Sequence, residues 1–225
     1  MTLKGTIFDV DGTLVDSNGA HAAAWQDALA EFGVSKRREE IRTLIGMGGD
    51  KLIGKLTGLD AKEQRARQLS AWRARRFREA YLPTIRPFPQ VRELFERLRA
   101  DGVKRAIASS AKRDELGPLL EIAGIDRLVD QVVSADDARA SKPDADVFLA
   151  ALDRLECERQ RVRTFGDTPY DVEAARRAGL EIIAVRCGGW DDAHLRGAAV
   201  VLDDPAAVLE YYLREFRPAE SSASS

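Results

Sequence analysis

From about Gln90 onward, short apolar runs alternate with segments of helical periodicity, and few architectures satisfy that rhythm. The runs at residues 105–108, 131–133, 163–165, 181–185 and 199–202, preceded by residues 5–8, are too short for helices and too continuously apolar for half-exposed strands. Between the first two, residues 90–100 set Val91, Leu94, Phe95 and Leu98 at i, i+3, i+4 and i+7, with a helix stop at Gly102. A last helix opens on Asp204 as N-cap and Pro205 in its first turn, and carries Val208, Leu209, Tyr212, Leu213 and Phe216 along one stripe. Strands buried on both faces and joined by such helices form a parallel, doubly wound α/β sheet.

Residues 15 to 83 break the rhythm: they read as consecutive helices with no strand among them. Turn-forming Asp16, Ser17, Asn18 and Gly19 mark one boundary, and Pro83, Pro87 and Pro89 the other. The expected organisation is an α/β core of residues 1–14 and 85–217, an inserted all-α cap of residues 15–84, and a disordered Ser- and Ala-rich tail at 218–225. The chain shows no internal repeat.

Charge excludes one class of partner. With 35 Lys and Arg against 37 Asp and Glu, the net charge of -2 removes the bulk attraction that non-specific nucleic-acid binding needs. The basic run of Arg65, Arg67, Arg73, Arg75, Arg76 and Arg78 shares its helix with Leu69, Trp72 and Phe77 on one side, so the arginines are expected on a solvated outer face. Trp190 and His194 read as packing and surface residues. No long apolar stretch supports a signal peptide or a membrane span, and membrane partners are not expected. Cys157 and Cys187 form neither a disulfide framework nor a zinc pattern; they are expected as buried thiols in a reducing, cytoplasmic setting. The oligomeric state is open.

Polar residues cluster where the strands end. Asp9-Val10-Asp11-Gly12-Thr13 follows the first run and Ser109-Ser110 the second, while Lys142-Pro143 comes after the third and Gly166-Asp167, with Asp171, ends the fourth. Open α/β sheets place their ligands outside the carboxyl ends of the strands, so these groups are expected at one site. Asp9, Asp11, Asp167 and Asp171 brought together without a cation would repel one another into binding protons. A hard divalent cation with oxygen ligands resolves the conflict, and Mg²⁺ suits it better than Zn²⁺, which prefers His and Cys.

At these motifs the chain resembles the haloacid dehalogenase superfamily, in its phosphatase branch with a helical cap of the C1 type, of the phosphoglycolate phosphatase and β-phosphoglucomutase kind. Phe8-Asp9-Val10-Asp11-Gly12-Thr13-Leu14 resembles the first motif of that family, Ser109 its second, Lys142 its third, and Gly166-Asp167-Thr168-Pro169-Tyr170-Asp171 its fourth. The resemblance implies a Rossmann-like core and a Mg²⁺-dependent phosphatase acting on a small phosphate ester, such as phosphoglycolate or a sugar phosphate. It implies that Asp9 attacks phosphorus to form an aspartyl phosphate and that Asp11 serves as general acid and then base. Thr13, Ser109 and Lys142 would grip the phosphate. The metal would be held by the side chains of Asp9 and Asp167, the backbone carbonyl of Asp11, and Asp171 directly or through water.

The same resemblance leaves rivals. A β-phosphoglucomutase-like isomerase shares the chemistry, but that branch usually reads Glu-Asp-Ser where this chain has Gly166-Asp167-Thr168. Asp11 speaks against a dehalogenase and a phosphonate-cleaving enzyme; a non-catalytic binding protein conflicts with the full residue set. In the cap, His21 is either a residue facing the site or a packing residue. The loop Gly46-Met47-Gly48-Gly49-Asp50-Lys51 is either a substrate-reaching loop, with Lys51 meeting an anionic group, or a helix–helix turn.

Overall fold

A computed structural model describes residues 2–216; the expected tail at 218–225 lies outside the described residues. Six strands form one parallel sheet: β1 (Gly5–Phe8), β2 (Lys104–Ala108), β3 (Gln131–Val133), β4 (Val162–Gly166), β5 (Glu181–Val185) and β6 (Val200–Leu202). Their order is β3-β2-β1-β4-β5-β6, so the chain winds outward on one side of β1, returns, and winds outward on the other. The doubly wound sheet expected from the apolar runs is what forms, with strand limits shifted by at most a residue.

Side-chain alternation explains why the runs read as continuously apolar. Phe8, Ile107, Phe165, Ile183 and Val185 enter one buried cluster, while Ile7, Ala106, Ala108, Ile182 and Ala184 enter a second. Phe8 anchors the first layer, its ring 4.8 Å from that of Phe95 and 4.4 Å from that of Phe165. Burying both faces at about 25 cal/mol per Å² of apolar surface is the main stabilising term of such a core.

The cap occupies the connection between β1 and β2. It comprises α1 (Asn18–Glu31), α2 (Arg38–Arg42), α3 (Gly49–Thr57) and α4 (Gln64–Arg76), followed by a π-helical turn at Phe77–Tyr81 and a short 3₁₀ turn at Leu82–Thr84. Among the described residues no regular strand interrupts it, only isolated bridges. The cap has its own apolar centre of Trp25, Leu29, Ile41, Leu52, Ile53 and Leu69. Core helices α5 (Val91–Ala100), α6 (Arg113–Ile122), α7 (Asp146–Leu155), α8 (Pro169–Ala178) and α9 (Pro205–Glu215) complete the layers. Asp204 caps α9 as the sequence suggests, its carboxylate accepting from the Ala207 amide at 3.0 Å.

Two local expectations change. Cys157 and Cys187 are half-buried free thiols, not fully buried ones, because each packs on the edge of a core cluster rather than inside it. The basic cap helix also does not present a uniformly solvated face. Arg65, Arg67, Arg75, Arg76 and Arg78 are exposed, but Arg73 turns inward against the core. Trp190 packs on the second core cluster with the exposed His194 ring beside it.

Candidate active site

The order of strands reverses between β1 and β4, and the first residues beyond these two strands are Asp9 and Asp167. The Asp9 amide donates to the Phe165 carbonyl, extending the sheet pairing by one step and fixing where its side chain leaves the backbone. Beyond it the chain folds back within five residues: Gly12 donates to Val15, and both Thr13 and Leu14 donate to Val10. That turn requires φ +81° at Gly12, in the left-handed region that a residue with a Cβ avoids. Thr13 thereby reaches across to β4, its hydroxyl donating to Asp167 at 3.1 Å and lying 3.4 Å from Asp9.

Lys142 and Asp171 lock the arrangement from the other side. Asp171 lies in the first turn of α8, where it and Thr168 form a capping box: its Oδ2 accepts from the Thr168 amide at 3.0 Å and hydroxyl at 2.6 Å. Its Oδ1 faces the Lys142 ammonium at 2.8 Å, close enough for an ion pair although the angle makes no hydrogen bond. The same ammonium donates to Asp9 Oδ1 at 2.5 Å, and Lys142 is completely buried.

The electrostatics of this cluster call for a cation. Burial pushes the Asp9 carboxyl far up from the usual range, and the neighbouring Asp171 and Asp11 charges add to the rise against the pull of Lys142. Asp167 is raised well above its ordinary value by burial and then by Asp171 and Asp9. Lys142 is held charged, because the two aspartates outweigh the burial that would otherwise strip its proton. The one ammonium pairs with Asp9 and Asp171 and leaves Asp167 to neutral donors, while the nearest oxygens of the three buried carboxyl groups lie within 4.8 Å of one another. The donor set is oxygen only, and Asn18 turns a further buried side-chain oxygen without a partner into this region. These residues fit a hard divalent ion better than one that seeks imidazole or thiolate.

Asp11 differs from its neighbours. Burial opposes its ionisation, but the His21 ring and the Ser17 hydroxyl outweigh that and hold its carboxyl below the ordinary range. His21 Nε2 stands 2.8 Å and Ser17 Oγ 2.5 Å from Asp11 Oδ1. The imidazole is stacked on the Phe77 ring at 4.1 Å between centroids, so a cap side chain fixes the orientation of a core carboxylate. Asp9, Asp11, His21 and Ser109 line one chamber of about 60 Å³, closed on the cap side by Trp25, Ile45, Met47 and Leu52. Thr13 and Lys142 touch Asp9 without lining that space.

Lys51 lies elsewhere. Its ammonium donates to the Ser141 carbonyl at 2.5 Å and to Asp144 at 2.6 Å, clasping the cap to the core outside the chamber. The glycines of its loop do allow close approach. A Cβ on Gly48 would come within 1.9 Å of Ser141 Oγ, and the Gly48 amide donates to the Lys142 carbonyl.

Sequence reasoning passed over three groups that the fold brings here. Asn18, read as a turn residue, donates to Asp167 Oδ2 at 2.8 Å and to the Gly188 carbonyl at 3.1 Å. Arg73 and Glu115 meet at 2.8 Å at the chamber's edge. The only available signal for Asn18 was its place immediately beyond the Asp9–Thr13 loop; nothing in one dimension pairs Arg73 with Glu115.

A doubly wound sheet with an acidic, lysine-bridged site at its reversal point, under a helical lid, defines a capped α/β protein of the Rossmann-like kind with a site suited to phosphate chemistry. Comparison with known proteins narrows the class. The haloacid dehalogenase-like hydrolase family model matches residues 6–185. A protein named probable phosphatase IndB, from Dickeya dadantii, is 32% identical over 185 residues, covering 81% of this chain and 80% of that protein. Phosphoglycolate phosphatase of Yersinia pestis is 29% identical over 93% of this chain and 90% of its own length. The crystal structure of a hydrolase from Pseudomonas syringae superposes with a TM-score of 0.88 at 31% identity, covering 95% of this chain and 99% of that one. The chain belongs to the haloacid dehalogenase-like hydrolases, and its relatives make it a hydrolase of the phosphatase type. No described helix is long and apolar enough to cross a membrane.

Proposed function

We propose that the protein is a Mg²⁺-dependent phosphatase that hydrolyses a small phosphorylated metabolite in the cytoplasm through a phosphoryl group carried on Asp9. The observation that carries this reading is the pairing of two unlike carboxylates in one chamber: Asp9, held by Lys142 among the buried acids, and Asp11, held by His21. Two carboxyl groups that share one chamber but are held by different partners, an ammonium and an imidazole, can take different roles in one reaction.

Asp9 attacks phosphorus in line with the ester oxygen, which departs as an alcohol once Asp11 gives it a proton; the negative phosphoryl group beside Asp11 opposes the pull of His21 and Ser17 and favours the protonated carboxyl for this step. Asp11 then takes a proton from the water that attacks phosphorus and releases phosphate, restoring both carboxyl groups. His21 presents an N–H to Asp11, orienting its carboxyl toward the chamber in both half-reactions. Thr13, Ser109 and Lys142 are the donors assigned to the phosphate oxygens, with Lys142 also opposing the burial that raises the Asp9 carboxyl. Asp9, Asp167 and the Asp11 backbone carbonyl are the assigned metal ligands. Both oxygens of Asp171 are engaged by Thr168 and Lys142, which supports a role in holding the ligand set through Lys142 or through water. Bound Mg²⁺ supplies charge neutralisation at the phosphoryl oxygens. The core is assigned to residues 1–14 and 85–217 and the lid to 15–84.

Phosphate release from phosphorylated metabolites and from p-nitrophenyl phosphate, with Mg²⁺ or with EDTA, tests the proposal. Metal-dependent release is expected. Isomerisation of a sugar phosphate without release would instead select the mutase reading.

A further inference from the structure

Beyond Asp9, Asp11 and His21, the chamber has two charged side chains among its described lining residues, Arg73 of α4 and Glu115 of α6. Both also line a neighbouring cleft of about 670 Å³ between cap and core, so they form the wall where the chamber opens outward. Glu115 is 3% exposed, an unusual burial for a carboxylate, and it accepts from Arg73 Nη1 at 2.8 Å. The guanidinium lies 5.1 Å from the Trp25 ring centre and 5.9 Å from that of Phe77, the same ring that supports His21. Its Nε–H is buried without an acceptor. An unsatisfied buried donor costs free energy that a bound group can recover.

Trp25, Ile45, Met47 and Leu52 on the cap side are apolar, so apart from the Ser109 and Ser110 hydroxyls this pair supplies the polar side chains of the chamber away from Asp9, Asp11 and His21. Its charges cancel, and it offers an N–H donor beside a carboxylate acceptor. A hydroxyl group, which accepts and donates, matches both. A carboxylate or second phosphate would meet Arg73 but also Glu115, close to the Asp9 and Asp11 charges.

Building on the phosphatase reading above, we propose that Arg73 and Glu115 are specificity-determining residues that select a hydroxyl-bearing leaving group. The substrate class is then a polyol or sugar monophosphate, in preference to phosphoglycolate or pyrophosphate. Arg73 Nε–H donates to a substrate hydroxyl, and that hydroxyl donates to Glu115. The small chamber suits a leaving group of a few carbons, with longer ones extending past the pair into the cleft.

The test compares kcat/KM for glycerol 3-phosphate, glucose 6-phosphate, phosphoglycolate, pyrophosphate and p-nitrophenyl phosphate in the wild type, Arg73→Lys and Glu115→Gln. The wild type is expected to favour at least one hydroxylated ester over both anionic ones by about tenfold or more. Glu115→Gln should shrink that ratio several-fold, because it removes the negative charge while preserving shape. Arg73→Lys should lower the hydroxylated-to-aryl ratio, because it keeps the charge and loses the Nε donor. A role confined to clasping cap to core would move all substrates together and leave the ratios unchanged. Unchanged ratios, or a wild-type preference for phosphoglycolate or pyrophosphate, overturns the assignment while aryl phosphate hydrolysis leaves the phosphatase reading standing. Should a variant fail to fold, the wild-type ratio decides. Absence of release from every ester overturns the phosphatase reading, and this inference with it.

Discussion

At the scale of single residues, the site depends on three buried carboxyl groups, only two of which, Asp9 and Asp171, meet the Lys142 ammonium. Asp9 and Asp167 bind protons more tightly folded than unfolded, so their contribution to stability falls as pH rises above the usual aspartate value and through their raised folded ones. Divalent metal displaces those protons, and its stabilising effect should therefore grow with pH. Thermal unfolding with and without Mg²⁺ at pH 5 and pH 8 is expected to show the larger Tm increase at pH 8. Equal increases would mean that Asp9 and Asp167 do not bind the ion. For Asp11, Asp11→Asn should slow departure of an alkyl alcohol by about 10² to 10⁴, the usual worth of general acid catalysis, and slow an aryl phosphate less. Rapid-quench measurement of alcohol release distinguishes the two leaving groups. Asp9, Ser109 and Asp167 were legible because each directly follows its own strand, whereas Lys142 stands well beyond β3 and was legible through its place before Pro143 and in the order of the motifs. Asn18 and the Arg73–Glu115 pair were not, because their partners are supplied by cap closure: Asn18 is 149 residues from Asp167 and Arg73 is 42 from Glu115.

At the scale of elements, the cap is joined to the core by contacts distributed around the chamber. Arg42 donates to the Gly188 carbonyl at 2.8 Å, Tyr170 to the Thr43 carbonyl at 2.8 Å, and Ser141 to Asp50 at 2.6 Å, beside the Lys51–Asp144 pair. Closure excludes water from a phosphoryl-transfer site and completes it, so weakening closure should raise KM. Gly48→Ala places a methyl group against Ser141, and should raise KM for alkyl phosphates by several-fold with little loss of overall stability. Lys51→Ala removes a partly exposed ion pair whose contribution to stability is small. Its effect is expected to be alike across substrates, as steady-state kinetics on two or more esters would show; a selective change would place Lys51 on the substrate. Helix periodicity made the cap's existence readable, but periodicity is blind to which face of a helix meets a neighbouring domain. Hence the inward turn of Arg73 went unread amid five exposed arginines.

At the scale of the whole molecule, the sheet supplies rigidity and the reversal of strand order supplies the place for chemistry. Asp9 and Asp167 come together because β1 and β4 are neighbours in space although more than 150 residues separate them in sequence. The apolar runs were readable as strands since burial on both faces leaves no polar positions to obscure them. Phe8 couples this scaffold to the site: it packs between Phe95 and Phe165 and directly precedes Asp9. Phe8→Ala should cost about 3 to 5 kcal/mol in denaturant unfolding, and misplace Asp9 in what remains folded. The central claim is that Asp9 carries the phosphoryl group. Acid quenching during turnover of a phosphate ester, followed by peptide mass spectrometry, tests it most directly. The account predicts a hydroxylamine-labile phosphoryl group on the peptide containing Asp9, with Asp9→Asn folded, unlabelled and inactive. A folded Asp9→Asn enzyme turning over at the wild-type rate, with no phosphoryl group on that peptide in the wild type, would contradict it.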